Sequence, residues 1–324
     1  MEHANLNFRQ LVIAILFFAA VPGAFAGTRK DIAAELAPAF KAQAAGDYQK
    51  AFAGYARFAA KNPLAQFSLG LFYKNGWGRP ADAVKACQWF EKAAHGHIPV
   101  GQQYFGDCLV QGIGRAVDYA AAIEQYKQAA GGGDLIALCS AADLIIKGKG
   151  ASKDVQQGLQ LCTQVAQANS PPAMLILADY YREGSDVPQD LKAARYWYQE
   201  AAEMHSNEAA YRLGLMLSAG QGGEPDMNAA LRWLEGAASE GYAPAYLPTA
   251  ELYANAPVDP KTGALAPEHL AKVYMWNSAA KASTSDPALL DVITRIEGLV
   301  QQVMPPEWRP DLDKRVAEHL AKYK

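Results

Sequence analysis

Small and apolar positions recur along this chain at helical spacing within units and at a step of 36 residues between units. A small residue stands at Gly70, Gly106, Ala142, Ala178, Gly214 and Ala250. A second register keeps the same step at Ala93, Ala129, Val165, Ala201 and Ala237, each followed by alanine. Between the registers lie Gly76, Gly112, Gly148, Gly184 and Gly220, and six residues after these come Asp82, Asp118, Asp154, Asp190 and Asp226. Two registers held at one period are the signature of stacked supersecondary units. The unit predicted is helix A, turn, helix B.

Each anchor has its own physical reason. The small residue of helix A lets its partner approach closely. The glycine supplies the positive φ that ends helix A, and the aspartate accepts backbone N–H bonds at the positive end of helix B. Leu69 and Tyr73, or Leu213 and Leu217, are one turn apart in helix A; Trp89, Phe90, Trp197, Tyr198 and Trp233 stand in helix B. At this spacing they are expected to bury a shared core. The third unit, Leu135 to Ser170, is degenerate, with Ala142 in helix A and with Gly158 and Thr163 in helix B, where they cost helix stability.

With these residues in place, the segments 64–97 and 208–242 resemble Sel1-like repeats, relatives of the tetratricopeptide repeat. The resemblance covers about residues 64–284 as six units, the sixth lengthened by six residues around Asp259 to Pro267. It implies an all-α, right-handed α/α solenoid. Ahead of it, residues 27–63 contain a tetratricopeptide-like helix pair turning at Gly46-Asp47. Behind it, residues 285–324 read as capping helices broken at Pro305-Pro306, since solenoid ends need polar covers. The family ends in a similar way, and the counterparts here are Val273 to Trp276 and Met304 to Glu307.

Composition narrows the function. Of 324 residues, 51% are hydrophobic, and 30 Lys plus Arg against 33 Asp plus Glu give a formal charge of −3. No basic field exists to attract nucleic acid. At the N-terminus Arg9 precedes the apolar Leu11 to Ala20, then Pro22-Gly23 and Ala24-Phe25-Ala26. This pattern predicts a signal peptide over residues 1–26, cleaved after Ala26, with no membrane span in the mature chain. The expected location is periplasmic or secreted.

Four cysteines in an exported chain allow three pairings. Antiparallel helices bring residues equidistant from a turn to one height. Cys87 and Cys108 are centred on Gly96-His97-Ile98, and Cys139 and Cys162 on Gly150-Ala151. Those two pairs are the expected disulfides, the alternative being four buried thiols. Some secreted members of the family staple each helix pair with a disulfide; this chain lacks a pair in every repeat.

Chemistry is sparse. No zinc-type spacing, phosphate-binding glycine loop or nucleophile elbow occurs, and no cofactor or metal is called for. His95 and His97 read as a turn pair, and the paired turn glycines as architecture. Next to the small residue of helix A stand Leu71, Asp107, Asp143, Asp179, Leu215 and Glu251. Tetratricopeptide grooves present this position to ligands, so a carboxylate row flanked by Phe67, Lys74, Gln103, Arg182, Tyr211 and Leu247 is the candidate partner site. It suits a basic or amide-rich extended peptide. The function expected is an exported adaptor that holds a protein partner in the bacterial envelope. The alternatives are a cell-wall or β-lactam-binding or hydrolysing protein, as the resemblance to cysteine-rich relatives implies, and an assembly factor touching peptidoglycan or exopolysaccharide.

Overall fold

The computed structural model describes residues 34–323; the predicted signal segment lies outside them. All regular elements of the described residues are helical. A leading pair, α1 (Ala37–Ala44) and α2 (Tyr48–Phe58), turns at Gly46-Asp47 as the sequence predicts. Five repeats follow as A/B pairs: α3 (Pro63–Asn75) and α4 (Ala83–His95), α5 (Pro99–Gln111) and α6 (Tyr119–Gly131), α7 (Ala137–Ile146) and α8 (Val155–Gln167), α9 (Pro171–Glu183) and α10 (Leu191–Glu203), α11 (Asn207–Ser218) and α12 (Met227–Ser239). A sixth pair, α13 (Tyr246–Ala254) and α14 (Pro267–Ser283), carries the lengthened turn. Then come α15 (Pro287–Val303) and α16 (Arg309–Lys322). The chain divides into two compact units after Val165, within α8. In the first, consecutive helices from α1 to α7 pack on one another; in the second, consecutive helices from α9 to α15 do, and α16 returns to α14.

The turn inside each of the five repeats is built by the two residues the sequence marks. Gly76, Gly112, Gly148, Gly184 and Gly220 have φ between 64° and 69°, a region that costs a side-chain-bearing residue about 1–2 kcal/mol. The aspartates then work at both ends of their residue. The carboxylates of Asp82, Asp118 and Asp226 accept the backbone N–H three residues on, at 2.8–2.9 Å. Their own N–H groups donate back to the carbonyls of Tyr73, Leu109 and Leu217 in helix A. Asp154 and Asp190 do the same. One residue thus starts helix B and ties it to the end of helix A.

A different device joins successive repeats. His97, Gly133, Asn169, His205 and Gly241 all have positive φ and stand 36 residues apart. Glycine, asparagine and histidine are residue types that tolerate this conformation best. His97 and His205 are therefore turn residues by backbone necessity.

The small residue of helix A makes room for a side chain rather than for a backbone. A Cβ at Gly70 would lie 2.4 Å from the Phe90 ring, at Gly106 2.6 Å from Tyr126, and at Gly214 2.6 Å from Leu234. These partners sit 20 residues on, and Phe90, Tyr126, Tyr198 and Leu234 are all buried. Trp89, Trp197 and Trp233, expected in the shared core, are only half-buried. They precede the core position by one residue, which turns them about 100° around the helix.

The third repeat solves the same problem differently. Its core position is Cys162, bonded to Cys139 with Cα atoms 4.5 Å apart. The glycine has moved to helix B, where a Cβ at Gly158 would lie 2.4 Å from Ile146. Gly158 is therefore a fit to Ile146 and not only a weakness of α8. The second bond, Cys87–Cys108, links α4 to α5 with Cα atoms 5.8 Å apart. Both pairings are those predicted from the turns.

The second unit closes on itself at its end. Tyr246 stacks on Trp276, and His319 of α16 meets both rings edge-on. The Tyr323 hydroxyl donates to the Ser239 carbonyl at 2.7 Å, and its ring lies flush on Gly241.

Candidate functional site

In the first unit the predicted helix A positions fall on α3, α5 and α7. Phe67 is 1% exposed and packs on Phe90 and Tyr104, so it belongs to the core and not to a binding face. Leu71 is buried as well. Phe67 is enclosed by rings of α4 and α5, a burial that the spacing within one helix does not resolve. Lys74 is exposed with its ammonium 5.1 Å from the Tyr104 ring centre, a cation–π arrangement. Gln103, one repeat on from Phe67, is half-buried.

Asp107 and Asp143, both half-buried, are already engaged within the chain. The Tyr126 hydroxyl donates to Asp107 at 2.7 Å, and Lys147 pairs with Asp143 at 2.6 Å. Burial and then the charges of Asp107 and Asp143 push the Tyr126 hydroxyl well above its ordinary range, so it stays a donor. Asp134 adds a third acid, raised to about 6 by burial and by Asp107. One buried oxygen of Asp134 has no hydrogen-bond partner.

In the second unit the counterpart is a denser network. Tyr198 and Arg212 both donate to Asp179. Arg182 donates to the Tyr198 hydroxyl at 3.0 Å, and Arg212 reaches Glu208 at 2.6 Å. Burial and Asp179 raise Tyr198 to about 12. Tyr211 and Leu247 are half-buried, Tyr211 with its ring 5.6 Å from Tyr242. Glu251 is half-buried too, and burial raises its carboxyl. The structure thus brings Asp179 and Arg182 together with Tyr198, which the sequence placed in the core, and with Arg212 and Glu208, which sequence reasoning did not single out. A signal existed: Asp107 to Tyr126 and Asp179 to Tyr198 are both separations of 19 residues.

No group of three His, Cys, Asp or Glu able to hold a metal occurs among the described residues. No described helix is long and apolar enough to cross a membrane.

Comparison with known proteins agrees with this architecture. The family model described as "Sel1 repeat" matches five times, at residues 63–96, 100–134, 136–170, 171–206 and 207–242. These copies coincide with the five A/B pairs from α3 to α12; the sixth pair lies beyond them. A crystal structure of a Sel1 repeat protein from Oxalobacter formigenes is similar at 26% identity with a TM-score of 0.58, covering 77% of this chain and all of that one. A protective antigen of uropathogenic Escherichia coli strains, displaying an SLR fold, is similar at 24% identity with a TM-score of 0.52, covering 98% of this chain and 65% of that one. No curated protein sequence matches significantly. With matches over more than half its length, the chain belongs to the Sel1 repeat family, a helical scaffold fold that generally mediates protein–protein interaction.

Proposed function

We propose that this protein is an exported adaptor of the cell envelope that holds a protein partner on its helix A faces. The observation that carries the reading is the repeated carboxylate–tyrosine anchor: Asp107 with Tyr126, and Asp179 with Tyr198. A carboxylate offers about four acceptor sites, so one group can hold its tyrosine and take a ligand N–H as well. Half-buried and already oriented, it loses little freedom on binding. In the first unit Lys74, Gln103 and Asp143 complete the surface we assign, and in the second Arg182, Tyr211, Leu247 and Glu251 do; each surface by itself suits an extended segment rich in amide and basic groups.

Export is supported by the apolar N-terminal pattern and by two disulfides, which persist in oxidising compartments and are rare in the cytosol. The mature protein is expected to begin at Gly27 and to be found in the periplasm or medium. Nothing among the described residues favours the β-lactam or glycan alternatives over this reading.

The test is affinity capture from native envelope with wild type and with the double variant Asp107→Asn/Asp143→Asn. Both proteins are checked first for equal melting temperature. A partner retained by wild type and lost by the variant is the expected outcome; equal recovery by both sinks the assignment.

A further inference from the structure

The second unit contains a cleft of about 480 Å³ between α10, α11 and α12. Arg195 and Gln199 of α10 form one wall, Arg232 and Trp233 of α12 the other, and Leu213 and Leu217 of α11 the floor. Its lining includes two guanidinium groups and no carboxylate. Among the described residues neither Arg195 nor Arg232 makes an ion pair or a side-chain hydrogen bond.

The repeat supplies its own control. Three repeats earlier, 108 residues upstream, the same positions carry Cys87 for Arg195, Glu91 for Gln199, Glu124 for Arg232 and Gln125 for Trp233. There, Arg115 of the turn donates two bonds to Glu91 at 3.0 and 2.6 Å and lies over the Phe105 ring. That ion pair holds the Glu91 carboxyl below its usual range. The first unit therefore fills the position with a neutralised pair beside a disulfide. In the second unit Gly223 stands where Arg115 would, and Arg195 occupies the space instead, with Nη1 2.7 Å from where a Gly223 Cβ would be. Two carboxylates and one guanidinium have become two guanidiniums and no carboxylate.

We propose that this cleft binds a carboxylate borne next to an apolar or aromatic side chain, as an acidic peptide presents it. The guanidiniums take the carboxylate, with a fork geometry suited to two parallel hydrogen bonds. Leu213, Leu217 and the Trp233 ring receive the apolar neighbour. Gln199, in place of a glutamate, offers the peptide backbone both a donor and an acceptor. The volume lies in the range of sites for small-molecule-sized ligands. Its polar groups come from helices B, with Leu213 and Leu217 of one helix A beneath them, and none of its residues belongs to the helix A surface assigned above.

The experiment is isothermal titration of the purified, oxidised protein with acetyl-Phe-Asp-amide, and with acetyl-Phe-Asn-amide and inorganic phosphate as comparison probes. Saturable one-site binding of the aspartyl peptide is expected, with Kd on the order of 0.1–1 mM. The asparaginyl peptide and phosphate alone should each bind at least about tenfold more weakly. Arg195→Gln and Arg232→Gln, each with an unchanged melting temperature, should each weaken the aspartyl peptide about tenfold. Absence of saturable binding, equal affinity for the asparaginyl peptide, equal affinity for phosphate, or unchanged affinity in both variants would overturn the proposal.

Discussion

Gly106 and Gly236 are both glycines inside helices, yet one is required and the other is not. Alanine in a helix interior is worth about 1 kcal/mol over glycine. At Gly106 the added Cβ would press on the Tyr126 ring, which Asp107 holds by its hydroxyl. Overpacking of this kind costs about 1–3 kcal/mol, so Gly106→Ala should lower stability in urea unfolding. At Gly236 nothing lies within 4 Å of the Cβ position, and Gly236→Ala should raise stability by about 0.5–1 kcal/mol. Asp134 gives a pH signature. Its carboxyl is raised to about 6 in the folded protein, so the folded state holds that proton more tightly than the unfolded chain. The stability it contributes is complete below about pH 4, is lost as pH climbs through about 6, and is constant above. Asp134→Asn should therefore match wild type near pH 4 and exceed it by roughly 1–3 kcal/mol at pH 7 in melting experiments.

At the scale of the helix, most boundaries were readable because they follow from one or two residues acting on their own backbone. Gly112 ends α5 through its φ, and Asp118 starts α6 through a bond three residues on. Asp118→Ala should cost about 1 kcal/mol and raise amide exchange in the first turn of α6. What spacing alone hid is which side of a helix faces which neighbour. Phe67 and Lys74 are separated by two turns and were assigned one face, yet one is core and the other exposed. The polar network around Asp179 was likewise hidden, because Arg212 reaches it from the next repeat. The cysteine pairs were readable, since antiparallel geometry about a short turn leaves few partners at one height. Replacing Cys139 and Cys162 together by alanine should cost about 3 kcal/mol, with faster amide exchange in α7 and α8.

At the scale of the molecule, a repeat chain is stabilised by neighbours, so its last helix pair needs a cover. Here α16 returns to α14 and seals the Tyr246–Trp276 stack. A chain ending at Ser283 should bind a hydrophobic dye and melt at a lower temperature, by about 2–4 °C per kcal/mol lost for a chain of this size. The third repeat has a further consequence, one of redox state. Elsewhere a ring or a leucine stands at the core position between helices A and B; here Cys162 does, joined covalently to Cys139. With that bond reduced, Ile146 still covers Gly158, but the two helices lose their tether. The third repeat is therefore expected to loosen first under a reductant while the helix pairs on either side hold, a redox dependence that amide exchange with and without reductant would read.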